Sequence, residues 1–114
     1  MLSERRSESL LYLKTVDRYT GSPVTHTVFY REIGNEYVIV ASNETETYKP
    51  DWYLNLKEEP IVEVELDGMH FYARASTPVG SERMQIWPLV EELSQYIERH
   101  LPRNVTGVLL SPMQ

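Results

Sequence analysis

The chain has 114 residues and a mass of 13.3 kDa, room for one compact domain whose single core needs no disulfide or metal staple. Seventeen Asp and Glu against eleven Lys and Arg leave a net charge of −6; this disfavours tracking a phosphate backbone, so no nucleic-acid partner is expected. The absence of Cys excludes disulfides, Cys-ligated metal centres and thiol nucleophiles.

Residues 1–9, MLSERRSES, read as a short polar tail, and 10–114 as a single domain. That opening is too polar for a signal peptide, and no apolar run reaches the roughly 20 residues of a membrane span. A soluble cytoplasmic protein without a membrane partner is the expectation. Charge is uneven along the chain: Glu44 to Asp67 holds eight acids and two bases, equal to the net charge of the whole molecule.

The elements read mostly as strands. Leu10–Thr15 is a short apolar strand, followed by a turn at Tyr19-Thr20-Gly21-Ser22-Pro23. Val24–Glu32 is rich in β-branched and aromatic residues, and Ile33-Gly34-Asn35-Glu36 links it as a hairpin to Tyr37–Ser42. Pro50 opens a helix, where its missing N–H costs little, and that helix runs to Glu58 before Pro60. Ile61–Leu66 alternates apolar and acidic residues, and Asp67-Gly68 is the strongest hairpin signal, leading into Met69–Ala75. Ser81 is the predicted N-cap of a second helix towards His100, with Ile86, Val90, Leu93 and Ile97 on one stripe. Pro88 inside that stripe predicts a kink or a restart. Thr106–Leu110 closes the series. Six strands and two helices make an α+β, mostly β protein, expected as a small antiparallel barrel because closure removes exposed edges.

The order of these elements, and YVIVASN with KPDWYLNLKEEP, resembles the deazaflavin-dependent nitroreductase family of split β-barrels, related to flavin reductases and pyridoxine-phosphate-oxidase-like proteins. Pro50, Trp52, Tyr53, Asn55, Leu56 and Pro60 match the family's helix. Arg18, Thr20, Gly21 and Pro23 match its turn, and Glu82-Arg83 with Trp87-Pro88 its second helix. The resemblance implies a six-stranded split barrel, a groove for deazaflavin and, by analogy, a homodimer. In the family, basic residues and a Gly-rich loop hold the cofactor's phosphate and glutamyl tail. The corresponding groove positions here are Tyr19, Thr20, Val24, Asn43, Glu44 and Thr45, none of them basic. Each lost charge-assisted contact costs about 1.5–3 kcal/mol. The expectation is therefore that no cofactor binds, with deazaflavin or FMN as the alternative.

A groove without its cofactor becomes an apolar slot for an apolar small molecule. Tyr19, Ser42, Asn43, Trp52, Trp87 and Tyr96 are the candidate substrate contacts, although each tryptophan equally suits a core position. Glu44, Glu46, Tyr48 and His26 are the candidate catalytic groups; a solvated acidic loop and a half-buried strand histidine are the plainer readings. His70 and His100 read as surface residues, and the three histidines are too scattered for a metal site. Three functions follow. The first is a cofactor-independent cyclase or isomerase of bacterial secondary metabolism that preorganises a polyketide-like substrate. The second is a deazaflavin- or flavin-dependent reductase of quinones, nitro compounds or a secondary metabolite. The third is a non-catalytic small-molecule binder.

Overall fold

The computed structural model describes residues 9–42, 49–97 and 105–113. Its elements are β1 (Leu10–Val16), β2 (Pro23–Phe29), β3 (Arg31–Ile33), β4 (Glu36–Ser42), α1 (Asp51–Glu58), β5 (Ile61–Leu66), β6 (Met69–Ser76), α2 (Gly80–Ile97) and β7 (Val105–Pro112). The strands form one antiparallel sheet in the order β2-β1-β5-β6-β7-β4-β3, curled into a half-barrel.

The sheet has seven strands against the six expected. The run Val24–Glu32 breaks at Tyr30: Phe29 pairs with Leu10, whereas Arg31 pairs with Val38. One continuous apolar segment thus serves both edges of the sheet. Nothing in its residue types marks the break, because Tyr30 is a good strand former. Tertiary pairing decides it: Tyr30 is buried and its N–H donates to the Ser9 carbonyl.

Hairpin chemistry sets the register elsewhere. Asp67 and Gly68 both have positive φ, 48° and 79°, as the two central residues of a type I′ turn require. Period-two alternation sends Leu11, Leu13, Val62, Val64, Ala73 and Ala75 inward. Trp52, Tyr53 and Leu56 of α1 join that interior cluster.

Helix α2 covers the outer surface of β4 and β7, where Ile86, Val90 and Leu93 pack on Val38, Val40 and Leu109. The approach is close at Gly107: a Cβ there would stand 2.7 Å from a Val90 methyl and 3.1 Å from the Ile86 Cδ1. The helix begins at Gly80, one residue before the predicted Ser81 cap, and runs uninterrupted through Pro88. The N–H that Pro88 lacks would have served the carbonyl of Met84, and both residues lie on the exposed side of the helix. No described helix is long and apolar enough to cross a membrane.

Candidate functional site

The turn after β1 is closed by its own polar groups. The Asp17 carboxylate accepts from the backbone N–H of Tyr19 at 2.7 Å and of Thr20 at 3.1 Å, which holds its pKa below the usual carboxylate value. Gly21 N–H donates to the Asp17 carbonyl and Ser22 N–H to Thr20 Oγ1. Every amide from Tyr19 to Ser22 is engaged, so this turn presents no free N–H cradle to an anion.

Helix α1 is fastened to that turn through Asn55. Its Oδ1 accepts from Arg18 Nη1 at 2.8 Å and from the Arg18 backbone N–H at 3.2 Å, while its Nδ2 donates to Thr15 Oγ1 at 3.1 Å. Arg18 also pairs with the Asp51 carboxylate at 3.3 Å and lies 4.6 Å from the centre of the Tyr19 ring. Asn55 and Thr15 are buried. The matching residues of the turn and of the helix are thus parts of one buried polar joint.

Two further groups stand near this joint. His26 points inward from β2, and its Nε2 is buried without a hydrogen-bond partner among the described residues. Burial pushes the imidazole pKa down, with the Asp51 charge opposing, so the ring is neutral near pH 7. Lys49 lies just before α1 and donates from Nζ to the Ala41 carbonyl at 3.3 Å. Its ammonium is 5.7 Å from the centre of the Tyr53 ring, and burial lowers its pKa. Lys49 escaped the sequence reading, although a lysine between an acidic loop and a helix-opening proline was visible there.

The predicted site residues are not all brought together. Trp52 is buried in the interior cluster with Tyr53 edge-on at 6.4 Å. Trp87, on α2, packs partly buried against the outer cluster between α2 and the sheet, with the Arg83 guanidinium 4.0 Å from the centre of its ring. The two tryptophans therefore lie on opposite surfaces of the sheet. Tyr19 is 81% exposed on its turn. Thr20 is exposed, Val24 half-buried beside His26 on the inner surface of β2, and Ser42 half-buried at the end of β4. Asn43, Glu44, Thr45, Glu46, Tyr48 and His100 lie outside the described residues, as does the side chain of Tyr96. Among the described residues no cluster of His, Asp or Glu is arranged to hold a metal ion.

A second polar cluster sits on the outer surface of the sheet. Glu63 accepts from His70 Nε2 at 2.9 Å, lies 3.7 Å from Lys14 Nζ, and accepts from the Tyr72 hydroxyl at 3.4 Å. The His70 hydrogen bond does most to hold the Glu63 carboxyl below its usual pKa. A cavity of about 320 Å³ opens there, lined by Tyr12, Lys14, Thr25, Glu63, Glu65 and His70.

The family model described as F420H(2)-dependent quinone reductase matches residues 4–105. An F420H(2)-dependent quinone reductase of Mycobacterium tuberculosis is 33% identical over 84 residues, covering 72% of this chain and 56% of that protein. The chain thus spans a little over half the length of the curated relatives it matches. A solved F420-H2 dependent reductase superposes with a TM-score of 0.73 at 22% identity, over 91% of this chain and 95% of that one. A pyridoxamine 5'-phosphate oxidase-like protein from Listeria innocua gives 0.65 at 14% identity, over 99% and 90%. These two likenesses establish the split-barrel fold.

The expectation that no cofactor binds is overturned by the family match, because the family is F420H2-dependent. With it falls the ground for the cyclase or isomerase reading, for which neither the fold nor the relatives give support. The physical reason lies in where charge was sought. Tyr19, Val24 and Asn43 are neutral, but Lys49 brings a cation to the end of β4 from the helix side. His26 Nε2, buried without a hydrogen-bond partner among the described residues, adds a second polar atom. Both features suit a polar, anionic cofactor.

Proposed function

Because this chain belongs to the F420H2-dependent quinone reductase family, we propose that it is a deazaflavin-dependent reductase of quinone-type acceptors, acting in the cytoplasm. The observation that carries the reading is the family match over residues 4–105. Bound F420H2 supplies a hydride that, with a proton, converts a quinone to its hydroquinone.

The chain's own residues then have separate tasks. Lys49 offers positive charge to the acidic tail, a contact strengthened by its partial burial. His26, neutral near pH 7, offers Nε2 to a carbonyl or N–H of the bound ring and can hold or release a proton there. The Arg18–Asn55 joint keeps the turn at a fixed position against α1, so that Tyr19 presents its ring at the rim. Ser42, at the end of β4, contacts the acceptor. The acceptor is an apolar ring system, as a quinone is.

Equilibrium dialysis with oxidised and reduced F420, followed by anaerobic mixing of F420H2 with a soluble naphthoquinone, tests the proposal. Micromolar binding and quinone-dependent oxidation of F420H2 are expected. Lys49→Met should weaken binding about tenfold, the loss of one charge-assisted contact. Failure of both F420 forms to bind at millimolar concentration overturns the reading.

A further inference from the structure

The outer surface of β2, β1, β5 and β6 is the convex side of the curled sheet, so a concavity there must be built by side chains. The cavity of about 320 Å³ on this surface has the volume of a small-molecule site. Register gives its plan. Two rows of outward residues cross the strands: Thr25, Lys14, Glu63 and Tyr72 in one, and Tyr12, Glu65 and His70 in the next. The charge of Glu63 is already matched within the chain: its carboxylate lies 3.7 Å from Lys14 Nζ and accepts from His70 Nε2 at 2.9 Å and from the Tyr72 hydroxyl at 3.4 Å. His70 thus reaches diagonally past Glu65, its own cross-strand neighbour. Among the described residues no hydrogen bond or ion pair engages Glu65.

The sign of the ligand follows from that imbalance. Lys14 brings one positive charge to the lining and Glu63 and Glu65 two negative ones, which leaves −1 with histidine counted neutral. The uncompensated carboxylate stands between two rings, Tyr12 on one side and His70 on the other. A carboxylate flanked by aromatic faces suits an ammonium ion, whose N–H groups meet the charge while its adjoining CH groups lie on the rings. A metal ion is a poor fit, because no cluster of His, Asp and Glu among the described residues is arranged to hold one. We propose that this cavity is a second ligand site, one that takes an arylalkyl ammonium ion with its nitrogen on Glu65 and its aromatic body against the Tyr12 ring. The site is separate from the candidate reductase site, since Tyr12 and Glu65 point outward from the sheet whereas His26 and Trp52 point inward.

Amide NMR titration of the full chain tests this with three probes on one skeleton: phenethylammonium, the anion phenylpropionate and the neutral phenethyl alcohol. The cation is expected to give saturable shifts centred on Tyr12, Glu65 and His70, with a dissociation constant of about 1 mM or below. The other two should not saturate. Glu65→Gln, at an exposed position, should weaken the cation about tenfold, the loss of one charge-assisted contact. Tyr12→Ala should weaken it about threefold, the loss of one ring face. Glu65→Lys turns the lining from −1 to +1 and should reject the cation and admit phenylpropionate instead. The same spectra show that each variant is folded, and the two exposed Glu65 variants suffice should Tyr12→Ala fail. Absence of saturable shifts at about 10 mM cation, shifts centred on His26 and Lys49, equal binding of all three probes, undiminished binding by Glu65→Gln or by folded Tyr12→Ala, or a Glu65→Lys variant that still prefers the cation each overturn the proposal.

Discussion

The half of the sheet under α2 and the half open to solvent differ in their outward residues. In β4 every residue from Tyr37 to Ala41 is buried, as is every residue from Gly107 to Leu110 in β7. Their inward residues fill the half-barrel and their outward ones meet the helix. In β1 and β5 the alternation is clean, with Tyr12, Lys14, Glu63 and Glu65 outward and Leu11, Leu13, Val62 and Val64 inward. An apolar run and an alternating run thus state which strands carry a second layer. Substitution should expose the contrast most strongly at the centre of each face. Leu93→Ala, on the sheet-facing side of α2 and fully buried, should cost about 2–5 kcal/mol in urea unfolding. Tyr12→Ser, at a side chain 53% exposed, should cost under about 1 kcal/mol when measured dilute enough to keep the chain monomeric. Equal losses at that dilution would mean that the open half is already covered within one chain.

A smaller effect sharpens the same comparison from the strand side. Gly107 has no Cβ because Val90 and Ile86 occupy that space. Gly107→Ala should therefore destabilise by about 1–3 kcal/mol, since a β-branched valine held in a helix has little freedom to yield. Adding Val90→Ala opens room, so the double variant should cost less than the two single changes together. Strict additivity would show that α2 moves away as a unit.

Much of this layering was legible from residue order. The alternation of Ile61–Leu66, the Asp67-Gly68 turn and the Pro50 helix start all depend on neighbours in sequence, and each stands as read. The break at Tyr30 was not legible, because two opposite sheet edges competing for one apolar segment leave no local mark. The candidate site was legible as motifs but not as a mechanism of assembly. Arg18 and Asn55 were both matched to the family, yet only the fold shows one buried amide joining strand, turn and helix. Charge at the candidate site was not legible for a related reason. Aligned positions are compared along the chain, whereas electrostatic fit depends on which cations arrive in space, and Lys49 arrives from just before the start of α1.

The two described histidines carry the comparison to its finest grain, since one faces the interior and the other the open surface. His26 has its pKa lowered from 6.5 by burial, so the unfolded chain binds the proton more readily than the folded one. The stability this ring contributes is present above that ordinary value and is lost as pH falls through it towards the lower folded value. His70 acts through its acceptor: the Glu63 carboxyl is held below 4.5, so its share of stability persists until the solution becomes more acidic still. The two windows are therefore separated along the pH axis. Between about pH 7 and 5 the unfolding free energy of the wild type should fall more steeply than that of His26→Gln, which cannot take up the proton. His70→Gln removes the hydrogen bond that does most to lower the Glu63 pKa, so the acid loss of stability carried by Glu63 should set in at a higher pH, nearer 4.5, than in the wild type. Parallel curves for wild type and His26→Gln would show that the inward imidazole is as well solvated folded as unfolded, and the reason to place a ligand beside its Nε2 would go with them.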